Sequence, residues 1–212
     1  QDSPHDRTVN KFVKHFFYTL FVSIFLTGCS LMPWSSSDDV EVLTFLPADQ
    51  LNQWDLTAKF AVSTKDKTES GSIRWMLNSV EERLDILSPT GSVVAKVTVT
   101  DSVARLQTDA QESVAKDADI LFREVMGTSF PVSALRFWIR GLEAPNLPLE
   151  SIEKDGDGRI TVLTQDGWRL TYNGNIAIES GSHRFEVPRC LTATRGEIEI
   201  RWASTEWQAL DH

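Results

Sequence analysis

The sequence predicts a mainly β protein with a few helices: a strongly curved antiparallel sheet with two helices laid against its concave face. Three observations predict this. Apolar and polar residues alternate with period two over most of the chain beyond Trp54, as in strands with one buried and one wet face. Turn-forming clusters separate the runs: Asn78-Ser79, Pro89-Thr90-Gly91, Asp155-Gly156-Asp157-Gly158, Asp166-Gly167 and Asn173-Gly174. Two mid-chain segments switch to helical spacing.

In chain order, a short helical turn is expected from Asp49 to Trp54. Strand runs then place Ile73, Trp75 and Leu77 on one face, against Ser72, Arg74 and Met76 on the other. Leu84 and Ile86 alternate with Arg83 and Asp85; Ala95, Val97 and Val99 alternate with Lys96, Thr98 and Thr100. Val114, Ala118, Leu121, Phe122, Val125 and Met126 share one face of an amphipathic helix that stops at Gly127. Pro131 opens a second helix, whose stripe is Val132, Leu135, Trp138, Ile139 and Leu142, and Gly141 closes it. Strands return with Trp168, Leu170 and Tyr172, and again with Ile198, Ile200 and Trp202. A wide curved sheet does not fill its own concavity with side chains. Helices carrying Phe122, Trp138 and Ile139 would cap it.

The N-terminus reads as an export signal. Arg7, Lys11 and Lys14 precede an apolar run from Phe16 to Leu26, too short to cross a bilayer core of about 30 Å as a helix. The run ends in Leu26-Thr27-Gly28-Cys29, which resembles a lipobox: small Thr27 and Gly28 admit a peptidase, and the Cys29 thiol takes a diacylglycerol. The expected organisation is a lipoprotein signal peptide at 1–28, a lipidated cysteine and flexible tether at 29–48, and one domain at 49–212. Acyl chains hold such a protein to a membrane at roughly 0.8 kcal/mol per buried methylene. In lipoprotein sorting, the resemblance implies that Asp after the cysteine favours the inner membrane. Ser30 stands there and points to the outer membrane, periplasmic side.

The 212 residues carry 21 Lys and Arg against 30 Asp and Glu, a net charge of −9. The first 28 residues hold +1, leaving −10 on the mature chain. Such acidity argues against nucleic acid, whose binding is driven by Lys and Arg displacing counterions. With Cys29 lipidated, Cys190 is the remaining thiol, expected in the core beside Val187, Leu191 and Ala193. The four histidines are His5, His15, His183 and His212, and no His-x-x-x-His or Cys-x-x-Cys spacing occurs for a metal. Neither a G-x-S-x-G elbow nor a phosphate loop is present. Glu153-Lys154-Asp155-Gly156-Asp157-Gly158 superficially suits calcium, but Thr164 stands where the twelfth-position Glu is needed, so a hairpin turn is expected. No catalytic residue, metal or cofactor is expected, and an enzyme is not.

Several local segments resemble the LolB family. Trp54-Asp55-Leu56-Thr57-Ala58-Lys59-Phe60-Ala61 is similar to the family's first strand, and Ser72-Ile73-Arg74-Trp75 to its strand with a central Trp. Ser88-Pro89-Thr90-Gly91-Ser92 resembles its Pro-Leu-Gly loop, and Gln165-Asp166-Gly167-Trp168 with Tyr172 its Q-x-G-W-x-x-x-Y segment. The most distinctive match runs from Gly127 to Gly141 and keeps Pro131, Leu135, Trp138, Ile139 and Gly141 at the family's offsets. The resemblance covers most of the chain from Trp54 to Trp202.

It implies an incomplete antiparallel β-barrel with a helical lid over a hydrophobic cavity, LolA/LolB-like. It also implies an activity: accepting lipoproteins from the soluble periplasmic carrier LolA and releasing them into the outer membrane, without nucleotide. The implied partners are that carrier, the acylated cargo and outer-membrane lipid, with the protein itself a monomer. The acyl-chain cavity and lid are expected to use Trp75, Phe122, Leu135, Trp138, Ile139 and Trp168. The membrane-insertion loop is expected at Pro89, Thr90, Gly91, Val93 and Val94. In the family this loop presents a leucine; here the position is Thr90, whose hydroxyl disfavours hydrocarbon. Two other readings stay open: an accessory outer-membrane lipoprotein of an envelope assembly complex, with a filled core, and a carrier of another hydrophobic ligand.

Overall fold

The computed structural model describes residues 43–126 and 131–210. The signal segment, Cys29 and the Gly127–Phe130 part of the distinctive motif lie outside the described residues.

Twelve strands form one sheet. β1 is Thr44–Phe45, inside the stretch that sequence assigned to the tether, and it runs parallel to β11. A 3-10 turn at Ala48–Gln50 follows, ending earlier than the turn expected up to Trp54. A first meander comprises β2 (Trp54–Ser63), β3 (Thr68–Leu77), β4 (Glu82–Leu87), β5 (Val93–Val99), β6 (Ala104–Thr108) and β7 (Glu112–Ala115). Helices α1 (Ala118–Met126) and α2 (Val132–Trp138) intervene. A second meander comprises β8 (Leu149–Lys154), β9 (Ile160–Gln165), β10 (Trp168–Ser180), β11 (His183–Arg195) and β12 (Ile198–Ala209).

The strand order is β7-β6-β5-β4-β3-β2-β12-β11-β10-β9-β8, every neighbour in it antiparallel. Antiparallel β2 and β12 therefore join the two meanders at the middle. Among the described residues, β7 and β8 are edges that do not pair with each other, so the sheet is not closed. The helices are the chain's passage from one edge to the other. This is the incomplete barrel with helices that the sequence predicts.

The turns mostly follow their chemistry. Asp166 (φ 51°) and Gly167 (φ 72°) both take the left-handed region between paired Gln165 and Trp168, as a two-residue type I′ hairpin requires. Asp155 closes the β8–β9 turn: its carboxylate accepts from the Asp157 and Arg159 amides. Asn173-Gly174, expected as a turn, lies instead inside β10. Gly174 (φ 65°) sits unpaired between Asn173↔Cys190 and Asn175↔Pro188, so the glycine irregularity is absorbed within a 13-residue strand.

Other differences have simple causes. Val114, placed by helical spacing on the first helix, stands half-exposed on β7, because strand pairing with β6 claims residues 112–115. Asp117 then caps α1, its carboxylate accepting from the Ile120 amide. Asp85, expected on the wet face, is only 3% exposed, because Arg83 grips it through Nε and Nη2 at 3.0 and 2.6 Å. Cys190 is half-buried rather than in the core, since it alternates with the inward Leu191.

Helix α2 is fastened at both ends. At its start, the Asp119 carboxylate of α1 accepts from the Ser133 amide and hydroxyl at 2.9 and 2.5 Å. At its end, the Gly141 amide donates to Trp138 O and the Leu142 amide to Phe137 O, the paired bonds of a Schellman ending with glycine at φ 74°. A Cβ on Gly141 would lie 3.0 Å from Pro188 Cγ. Arg140, 5% exposed, donates to the Leu51 and Arg136 carbonyls at 2.7 and 3.0 Å. Burial and the neighbouring Arg136 lower its pKa to about 10. Gln165 is fully bonded: Oε1 accepts from Trp138 Nε1 and the Ala144 amide, and Nε2 donates to the Ala144 and Leu147 carbonyls. Glu82 accepts from Trp75 Nε1 at 2.9 Å and from Arg136 Nη1 at 3.4 Å. Burial dominates over these partners and holds its carboxyl above the usual 4.5.

Two outcomes follow. Gly141→Ala combines a left-handed backbone with a Pro188 clash, and urea denaturation should show a loss of about 2 kcal/mol. A carboxyl whose folded pKa is raised contributes stability below its unfolded pKa and loses it as pH rises through the folded one. The urea midpoint of Glu82→Gln relative to the native chain should therefore be higher at pH 7 than at pH 4. An offset independent of pH would show that Glu82 titrates normally in the fold.

Candidate functional site: an apolar cavity between sheet and helices

The inner faces of the strands and one face of each helix enclose a cavity of about 620 Å³, well within the range of roughly 300–1,000 Å³ typical of ligand sites. From β2 come Phe60 and Val62; from β3, Ile73; from β4, Leu84, Ile86 and Leu87. β12 contributes Ile198, Ile200 and Trp202, and β10 contributes Trp168. Phe122 of α1 with Val132 and Leu135 of α2 supply the helical side. Period two explains the strand set: Phe60 and Val62 continue the row Trp54-Leu56-Ala58, and Ile198-Ile200-Trp202 is one face of β12. Gly71 leaves room at the wall, for a Cβ there would meet the Phe60 ring at 3.1 Å.

The cavity opens at one end of the strands. Its exposed lining residues are Glu69, Ser70, Pro89 and Val94, with half-buried Ser88 beside them. All belong to the β2–β3 or β4–β5 hairpins. Its inner end is closed by tryptophans. Trp202 lines the cavity and meets Trp75 edge-on at 6.0 Å; behind it Trp54 contacts Trp75 at 5.5 Å and Trp207 at 5.1 Å. On the helical side Trp168 lines the cavity, and Trp138 packs behind it at 6.3 Å. Such tilted pairs are favourable for aromatic quadrupoles and give a rigid wall.

The six residues predicted for cavity and lid fall into two layers. Phe122, Leu135 and Trp168 line the cavity. Trp75, Trp138 and Ile139 are at most 1% exposed and stand one layer back, outside the lining. Sequence reasoning passed over Phe60, Val62, Ile73, Leu84, Ile86, Ile198, Ile200 and Trp202. The period-two alternation, which sets Ile73, Leu84, Ile86, Ile198, Ile200 and Trp202 on the apolar faces of their strands, is the signal that points to most of them.

The predicted loop lies at the mouth. Ser88 O accepts from the Gly91 amide at 2.9 Å, and Gly91 takes φ 87°. Thr90 keeps a negative φ, so the turn over Pro89 and Thr90 is type I rather than type II. The Thr90 hydroxyl lies 2.9 Å from that of Ser88. Val93 and Val94 are 48% and 47% exposed, and Pro89 and Val94 also line the cavity. No Lys, Arg, Asp or Glu occurs from Ser88 to Ala95. Among the described residues no group of three or more His, Cys, Asp and Glu could hold a metal, and no helix is long and apolar enough to cross a membrane.

Comparisons with known proteins identify the family. Residues 52–207 match the family described as "Outer membrane lipoprotein LolB". A protein of that description from Nitrosomonas europaea is 28% identical over 197 residues, covering 90% of this chain and 91% of the relative. One from Cupriavidus pinatubonensis is 37% identical over 117 residues, 55% of this chain and 56% of the relative. Among solved structures, a putative outer membrane lipoprotein-sorting protein domain from Vibrio parahaemolyticus is 10% identical, covers 74% of this chain and 85% of its own, and superposes with a TM-score of 0.49. The family match spans both meanders and both helices, the elements that enclose the cavity, and the chain belongs to the LolB family of outer-membrane lipoproteins.

Proposed function

We propose that this protein is an outer-membrane receptor that accepts lipoproteins from a soluble, LolA-like periplasmic carrier and releases them into the inner leaflet of the outer membrane. The observation that carries this reading is the apolar cavity itself, built from both meanders and roofed by the helices, with its mouth beside an uncharged hairpin. Exposing the acyl chains of a lipoprotein to water costs tens of kcal/mol at roughly 0.8 kcal/mol per methylene. Two proteins with facing dry cavities exchange the chains without that exposure. Direction then requires only that the receptor bind more tightly than the carrier and the membrane more tightly still; no nucleotide enters. Lipidation at Cys29 keeps the receptor at the membrane. The residues proposed to touch acyl chains are Phe122, Leu135 and Trp168 with Phe60, Ile200 and Trp202. Trp75, Trp138 and Ile139 support them from behind. Pro89, Thr90, Gly91, Val93 and Val94 form the hairpin proposed to meet the bilayer, with Val93 and Val94 in place of the leucine that Thr90 lacks.

Phe122→Glu sets a carboxylate against the cavity at a half-buried position. Folded variant protein should accept less than a tenth as much lipoprotein from a loaded carrier and should lose bis-ANS binding; undiminished acceptance would exclude this cavity as the acyl site. Val93→Asp changes the hairpin outside the lining. It should leave acceptance intact and slow delivery into liposomes several-fold. Cys29→Ala should keep acceptance and lose membrane attachment, and a variant still sedimenting with outer membranes at high salt would refute anchoring at Cys29.

A further inference from the structure

We infer that Glu69 and Ser88 form a head-group subsite at the cavity mouth, which receives the first polar residues of an acylated polypeptide and disfavours acidic ones. The inference rests on the acyl-chain reading of the cavity and adds where the polypeptide leaves it and what charge it carries there.

An amphiphile bound tail-first needs a place where its polar part begins. Two inner rows of the sheet change character at the mouth. On β3 the inward series Trp75, Ile73, Gly71 ends in Glu69, paired across the strand with Val62. On β4 the series Leu84, Ile86 continues into Ser88. Among the described residues, Glu69 is the one charged residue of the cavity lining, and its polar companions there, Ser70 and Ser88, stand at the same end. The rest of the rim, including Val62, Pro89, Val94 and Ile198, is apolar. The mouth therefore has a polar sector on the β3–β4 side, and a chain whose tails lie inside leaves most favourably across it.

The chemistry of the sector is that of an acceptor. Lys67 Nζ donates to Glu69 Oε1 at 2.9 Å, with the two side chains 67% and 56% exposed. An exposed pair of this kind is weakly held, so a basic residue of the bound polypeptide can take the place of Lys67. Ser88 Oγ lies 2.9 Å from Thr90 Oγ1 and accepts from the Ser92 amide at 3.2 Å. Both bonds hold the Ser88 hydroxyl within the β4–β5 turn at the cavity mouth. Backbone amides next to the acylated residue find acceptors here. A carboxylate side chain would meet the Glu69 carboxylate at the mouth, a repulsion of the modest size expected between exposed charges.

The test uses the full chain carrying Cys29→Ala and two tripalmitoylated cysteinyl peptides, one continuing in a run of lysines and one in a run of glutamates. Each is titrated against bound bis-ANS at low ionic strength. The lysine peptide should displace the dye at about fivefold lower concentration. Glu69→Gln should bring the two peptides close to parity and Glu69→Lys should invert their order, each displacement being read against the dye affinity measured for that variant. Ser88→Ala should weaken both peptides alike. An unaltered preference in folded Glu69→Lys, with displacement intact, overturns the subsite alone. Failure of both peptides to displace the dye overturns the subsite and the acyl-chain reading together.

Discussion

A wide antiparallel sheet that curls but does not close leaves an inner face that its own side chains cannot fill. Much of this molecule follows from that constraint. The apolar residues required on the inner face for folding are the same residues that line a hollow. The two unpaired edges, β7 and β8, are joined in the chain by the two helices, so the segment that crosses the gap also roofs it. Core and candidate ligand site are one continuous surface.

Such a surface needs a rigid backing, since an apolar face without support collapses onto itself. The tryptophans provide it in two layers. Trp202 and Trp168 face the hollow, while Trp75 and Trp138 stand behind them and spend their indole N–H groups on Glu82 and Gln165. These two acceptors also hold the roof. Gln165 binds both Trp138 and the chain beyond α2, and Glu82 receives Arg136 of α2. The buried polar groups thus fix the position of the helix while the exposed apolar ones remain available.

Charge is arranged with the same economy of place. The hairpin from Ser88 to Val94 carries none, and it borders the mouth. The charged member of the lining, Glu69, sits at the edge where the apolar rows end. Among the described residues no charged side chain lines the inner end of the hollow, where an unpaired charge would meet several kcal/mol of desolvation.

Period-two alternation, helical spacing around Phe122 and Leu135, and glycines at 141 and 167 are local properties. They depend on steric and solvation rules acting over a few residues, so the mainly β class, both helices, the Asp166-Gly167 hairpin and the α2 ending were legible in the chain by itself. The motif offsets likewise identified the family. Strand pairing decided the rest, because pairing joins residues distant in sequence. It drew Val114 into β7, carried β10 straight through Asn173-Gly174, and turned Cys190 away from the core. It also sorted the aromatic candidates, since depth behind a wall is set by what packs in front. Phe122, Leu135 and Trp168 meet the hollow, whereas Trp75, Trp138 and Ile139 lie a layer behind, and no spacing rule along one strand or helix contains that third dimension.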